Sequence, residues 1–252
     1  MPFCNTSTLF HDLRLMTEMP DLCDVKFIVG KDKVPIYGVK SVMATRSRFL
    51  YQSILAKEKE LTGSTKQTKL KLVLLPKLKQ FRKKKFLSSE KRQASPGLLT
   101  IHLPGENPAI FRDIIQFVHS GRISASVHNI VDVMVTADNY GLTELCSSCF
   151  HFATSFINLD TILPLLTSTL RFLKNKWIKR LLIKIWDFVD ENAGLIFQTS
   201  GFEKIPKESA MLILSRPKLS VTEAEIRKTV SDRSRRQCHV TDKETFDSLE
   251  SS

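Results

Sequence analysis

Cys146-Ser147-Ser148-Cys149, with His151 close behind, is the tightest grouping of reactive side chains in this sequence. Two thiols at that spacing can act as a redox pair or supply half of a tetrahedral zinc site. Zinc needs two more ligands, and Cys238-His239 offers them only from the far end of the chain. A redox pair needs a thiolate held at a helix start, in a βαβ setting that is missing here. Cys149 instead falls on the apolar stripe of its helix, so core packing is the expectation for both. The six histidines (His11, His102, His119, His128, His151, His239) form no HxxxH or HExxH pair. Among only nine glycines there is no GxSxG elbow and no phosphate-binding loop. The sequence therefore assigns no catalytic residue, metal or cofactor, and an enzyme is not expected.

Charge offers a second kind of chemistry. The formal net charge is +12, yet Lys57–Gly97 alone holds 13 Lys/Arg against Glu58, Glu60 and Glu90. The remainder is close to neutral. Arg82-Lys83-Lys84-Lys85, followed by Lys91-Arg92, could import the chain into the nucleus or bind anions. A solvated linker is the plainer reading of such a run, and nucleic acid is not the expected partner. Five cysteines, an odd number without scaffold spacing, fit a reducing compartment, cytoplasmic or nuclear. No apolar run approaches the roughly 20 residues that cross a bilayer, and no secretory leader is expected at Met1-Pro2-Phe3.

These groups must be carried on regular elements. Phe10, Leu13 and Leu15 share a short amphipathic helix ahead of Pro20. Val25–Val29 and Val34–Tyr37 are β-rich and flank Gly30-Lys31-Asp32, which predicts a hairpin. Helical patterns follow at Val39–Met43 and Phe49–Leu55, and Leu99, Ile101 and Leu103 alternate as a third strand. Asn107-Pro108 starts a helix bearing Ile110, Phe111, Ile114, Ile115 and Val118, which ends at Gly121. A second helix places Ile130, Val133, Met134 and Ala137 on one face and stops at Gly141. A third carries Leu145, Cys149, Phe152 and Phe156. Beyond it, Asn158 caps a helix with Ile162, Leu165, Leu166 and Leu170. Its partner carries Trp177, Leu181, Ile185 and Val189 and is expected to end before Gly194. Pro206 opens a helix through Met211, Leu212 and Leu214, and Thr222-x-x-Glu225 is a capping box. The fold class expected is α+β, a small sheet covered by helices followed by an all-α segment.

Several of these stretches read like one family. Asp21-Leu22-Cys23-Asp24-Val25, Lys40-Ser41-Val42-Met43-Ala44, Phe117–Ile123 and Ala137-Asp138-Asn139-Tyr140-Gly141-Leu142 resemble, in order, the motifs of a BTB/POZ domain. Val39 departs from the pattern, standing where most members have histidine, so whatever that imidazole does is expected to be absent. Residues 9–156 are assigned to this domain, after a tail over 1–8, with 57–97 as a basic, disordered insertion. Residues 157–230 resemble a BACK domain cut short, and 231–252 read as a polar tail. No repeat of Kelch type follows.

The resemblance implies a homodimer whose interface includes Phe10, Leu13 and Leu15. It also implies an adaptor for a cullin-type ubiquitin ligase, with Tyr51, Leu55, Glu58 and Tyr140 facing the cullin scaffold protein and an unknown client held elsewhere. Members that bind cullin carry an apolar-x-Glu turn after the helix equivalent to Phe49–Leu55; Ala56-Lys57-Glu58 is a weak version of it. Two other readings stay open: a nuclear, transcription-related protein using Arg82–Lys85, and a truncated competitor of longer relatives.

Overall fold

Val25, Phe27 and Val29 alternate with Lys26 and Ile28, and strand β1 (Val25–Val29) turns the first three inward at no more than 1% exposure. The computed structural model in which this is seen describes residues 6–61 and 98–235. They divide between two units, Met1–Ile123 and Ser124–Ser252. In the first unit β1 is the middle strand of three. It pairs antiparallel with β2 (Val34–Gly38), Phe27 opposite Ile36, and parallel with β3 (Leu99–Leu103), Phe27 opposite Ile101. The expected hairpin and third strand are both present.

Four helices accompany the sheet: α1 (Thr6–Leu15), α2 (Lys40–Arg46), α3 (Arg48–Leu61) and α4 (Pro108–Ser120). Asn107 caps α4 as expected, its Oδ1 accepting from the backbone N–H of Ala109 at 2.9 Å, and Gly121 ends it in the left-handed region. Every residue assigned to the apolar face of α4 is buried, and the Phe111 ring meets Phe27 edge-on at 5.0 Å. Helix α3 outruns its expected end at Leu55, so Lys57–Leu61, assigned above to the insertion, are helical. Ion pairs Lys57–Glu60 (3.0 Å) and Lys40–Glu58 (2.7 Å) accompany the added turn. The rest of the insertion, including Arg82, Lys83, Lys84 and Lys85, lies outside the described residues.

The regular elements among the described residues of the second unit are all helices: α5 (Ile130–Asn139), α6 (Thr143–Ser155), α7 (Ile162–Leu170), α8 (Lys176–Phe197), α9 (Ser200–Lys204), α10 (Lys207–Leu214) and α11 over 223–235. One expectation is corrected here. The buried stripe of α6 is Leu145, Cys146, Cys149 and Ala153, while Phe156 caps the helix end and is 40% exposed. Helix α8 breaks at Asn192, where φ −116° and ψ 20° leave the helical region and the side chain donates to Phe188 O at 3.0 Å, so its first part ends before Gly194 as expected and a further turn runs on to Phe197. The inward residues of α10 are Ser209, Ala210 and Ile213, which leaves Met211 and Leu212 outside.

The capping box is formed: Glu225 accepts from the Thr222 N–H at 2.8 Å, and Thr222 Oγ1 accepts from the Glu225 N–H at 3.3 Å. Its helix does not stop where the apolar period does. Arg233, expected in a polar tail, is 9% exposed and donates to the carbonyls of Phe202 and, at 2.6 Å, of Ile205. The tail beyond 235 lies outside the described residues.

Gly30 holds the hairpin at φ +73°, and a Cβ there would stand 2.8 Å from Pro108 Cγ at the start of α4. Both the left-handed backbone and the close approach require glycine. Gly30→Ala is expected to cost more than about 1 kcal/mol, read as a lower urea midpoint with an unchanged m-value.

Candidate functional site

The first unit presents two candidate surfaces, on α1 and on α3, and a polar pin holds the start of α2, the helix that precedes α3. Asp24 Oδ1 accepts from the Lys40 N–H at 2.6 Å, satisfying one of the donors that a helix start leaves open. The preceding N–H, of Val39, donates to His119 Nε2 at 3.0 Å. His119 Nδ1 lies 2.8 Å from Ile115 O, so the ring is neutral with its proton on Nδ1. The absence of histidine at position 39 therefore does not leave this corner without an imidazole; α4 supplies one. Gly38 makes room for it, since a Cβ there would meet Met43 Sδ at 2.9 Å and His119 Cε1 at 3.2 Å.

Helix α1 packs on α4. Phe10 is partly buried, with the Arg122 guanidinium 4.0 Å above its ring, and Leu13 and Leu15 are partly buried as well. The apolar side chains left most open are neighbours that the sequence analysis passed over: Leu9 at 50% exposure, Met19 at 47% and Leu22 at 61%. Leu9 sits one turn before Leu13 on the same side of α1. That i, i+4 spacing is present in the sequence.

On α3, Leu50 and Ile54 face the core, Leu55 is partly buried, and Tyr51 stands 45% exposed. Glu58 is held by Lys40 Nζ at 2.7 Å, which raises the lysine's pKa and commits that carboxylate to α2. Ala56-Lys57-Glu58 lies within the helix rather than in a turn after it. Tyr140, expected to face the cullin, is only 3% exposed in the second unit, at the C-cap of α5. It belongs to the packing of the α5–α6 corner and offers little surface to a partner.

The thiols behave as core. Cys146 and Cys149 are both buried, and burial pushes each thiol up to about 12, so both are protonated at neutral pH. Cys146 Sγ is 3.6 Å from Met134 O, its acceptor. Without a thiolate the CxxC lacks its nucleophile.

Burial lowers the pKa of His119, and the Asp24 carboxylate and Ile115 carbonyl only partly offset this. Below the ordinary imidazole value of about 6.5, the unfolded chain takes up a proton that the folded one refuses, so stability falls as pH falls. His119→Gln keeps a donor and an acceptor without titrating. Its urea midpoint is expected to be less pH-dependent than that of the wild type between about pH 7 and pH 5.

Comparison with known proteins bears on what these surfaces belong to. Residues 70–156 match the family model of the BTB/POZ domain. The chain thus contains a BTB/POZ domain, a protein-interaction module, and its α+β architecture is that fold followed by a helical segment. The match starts within the 57–97 stretch read above as an insertion. The Serine-enriched protein of Drosophila melanogaster is 31% identical over 235 residues, 88% of this chain and 18% of that protein. BTB/POZ domain-containing protein 6 of Homo sapiens is 22% identical over 138 residues, 55% of this chain and 25% of that protein. The chain therefore spans no more than a quarter of either relative's length. The BTB domain of human Gigaxonin aligns at 19% identity with a TM-score of 0.37, covering 60% of this chain and 96% of that structure.

Proposed function

We propose that this BTB/POZ-containing chain self-associates through α1 and serves as an adaptor that brings a client to a cullin-type ubiquitin ligase. The observation that carries the first half is the set of open apolar side chains around α1: Leu9, Met19 and Leu22, each about half exposed or more. Apolar residues at that exposure lower the free energy of a two-fold contact by leaving water, and a two-fold contact needs only one self-complementary patch. Phe10, Leu13 and Leu15 extend that patch from its partly buried side.

The second half rests on α3 and the resemblance to BTB-BACK adaptors. Tyr51 is an exposed aromatic on a helix whose other face is locked into the core by Leu50 and Ile54. That is the form in which a binding anchor works best, rigid and already paid for in entropy. A dimer would present two such faces and gain avidity if the scaffold spans them. Residues 157–230 act in this reading as a partial BACK domain behind residues 9–156. Cytoplasmic residence accompanies it. Nuclear residence through Arg82–Lys85 is the second reading, supported by the run of four cations.

Light-scattering mass and cullin pulldown on the same preparation test the two halves separately. The wild type is expected to have dimer mass, and Leu9→Asp with Leu13→Asp to have monomer mass with unchanged far-UV circular dichroism. Tyr51→Ala is expected to stay dimeric and to weaken cullin binding about tenfold. A monomeric wild type ends the self-association reading. A dimer that retains no cullin ends the adaptor reading alone.

A further inference from the structure

Between Asp160 and Asp187 the sequence contains no acidic residue and six basic ones: Arg171, Lys174, Lys176, Lys179, Arg180 and Lys184. All six are exposed. Helix α8 sets four of them on one side, because 176, 179, 180, 183 and 184 follow the i, i+3, i+4, i+7, i+8 pattern. The opposite side, Trp177, Ile178, Leu181 and Ile185, is buried at 8% exposure or less, so the helix cannot turn this face away. Asn175 fixes its start, with Oδ1 accepting from the N–H of Trp177 at 2.8 Å.

Three further observations distinguish this face from an ordinary solvated one. Arg171, Lys176 and Lys184 have carboxylate neighbours in Asp132, Asp138 and Asp187, whereas Lys174, Lys179 and Arg180 have none among the described residues. Arg180 is held in place without one: its guanidinium lies 4.9 Å over the Phe150 ring and 5.1 Å over Trp177. Stacking occupies the plane of a guanidinium and leaves its N–H edge free to pair with a carboxylate. Ile183 stands 59% exposed among these cations.

We propose that this face of α8 docks an acidic amphipathic helix of a partner protein, carboxylates on Lys179, Arg180 and Lys184 and an apolar side chain on Ile183. The charge pattern selects the acidic partner. The exposed apolar side chain selects a protein over a nucleic acid, whose backbone offers nothing to cover Ile183. From Lys176 to Lys184 the face runs about 12 Å, about two turns of helix, with Lys179 and Arg180 one turn before Ile183 and Lys184 next to it. The interface requires neither self-association nor a cullin.

The test uses the full chain and a fluorescein-labelled synthetic helix of about four turns, with Glu placed one turn apart around a single Leu, read by anisotropy. The Glu→Gln version of the peptide, a single-stranded DNA oligonucleotide and phosphatidylserine vesicles are the competing probes. Binding is expected for the Glu peptide and to be lost as salt rises from about 50 mM to about 300 mM. Lys179→Glu with Arg180→Glu is expected to weaken it at least about tenfold, and Ile183→Ser about threefold. Lys176→Glu with Lys184→Glu, two positions of the same face that leave the Arg180 stack intact, is expected to give a loss in the same direction. Replacing Arg82–Lys85 by alanine is expected to leave it unchanged. The proposal is overturned if neither charge-reversal pair weakens binding, or if the alanine variant alone abolishes it. It is overturned equally if DNA or vesicles, rather than the peptide, depend on Lys179 and Arg180.

Discussion

The architecture of the first unit depends on one strand pairing. β3 lies parallel to β1, with Val25 opposite Leu99 and Val29 opposite Leu103. Parallel neighbours cannot be joined by a tight turn, so everything from β2 through α3 and residues 62–97 has to serve as the crossover. The pairing brings the end of β3 to the β1–β2 hairpin, where the Gly30 N–H donates to Leu103 O at 3.0 Å and Pro108 closes on Gly30. With α4 started at that point, Phe111 falls against Phe27 and His119, more than two turns on, comes within reach of Val39. A long crossover is compatible with this because closure entropy rises only with the logarithm of its length.

What the sequence made legible were features whose cause is local. The Asn107 cap, Pro108 at the first helical position and Gly121 at the end delimit α4 without help from elsewhere, and the capping box at Thr222 does the same for α11. The hairpin and the third strand were readable from alternation alone. The misses share a different cause. Helix α3 continues past Leu55 alongside an ion pair to Lys40, a residue on another helix. Helix α11 runs on past Val230, where its apolar period stops, and carries Arg233 to the Phe202 and Ile205 carbonyls at the end of another helix. Neither cause leaves a period in the local pattern.

The candidate surfaces divide in the same way. Phe10, Leu13 and Tyr51 could be picked out as apolar or aromatic residues on short helices, but the sequence could not say how much of each remained uncovered. The arginine over Phe10 and the cores under Tyr51 decide that. Tyr140 shows the reverse error: a residue in a recognisable motif was taken for a contact when its burial makes it part of the frame. Net charge misled by averaging. With 57–97 removed the chain is near neutral, and this conceals a stretch from 161 to 186 with six cations and no anion. A sum over the chain cannot reveal a face, since faces are made by helical period and not by composition.

Arg233 shows why polarity in a sequence is a poor guide to where a chain stops being structured. Its run of Ser, Asp and Arg neighbours reads as solvated, and a buried guanidinium with no carboxylate partner among the described residues should be costly. Burial does lower its pKa, but arginine starts so high that it keeps its charge. Its N–H groups then go to the Phe202 and Ile205 carbonyls, at the last turn of α9 and just beyond it, where a helix leaves acceptors unmatched and partially negative. The guanidinium also lies 5.4 Å over the Phe202 ring. One side chain thus satisfies acceptors that α9, at five residues, is too short to satisfy itself. The polar residue is inside because the short helix needs a donor there, and the continuation of α11 to 235 carries that donor to it.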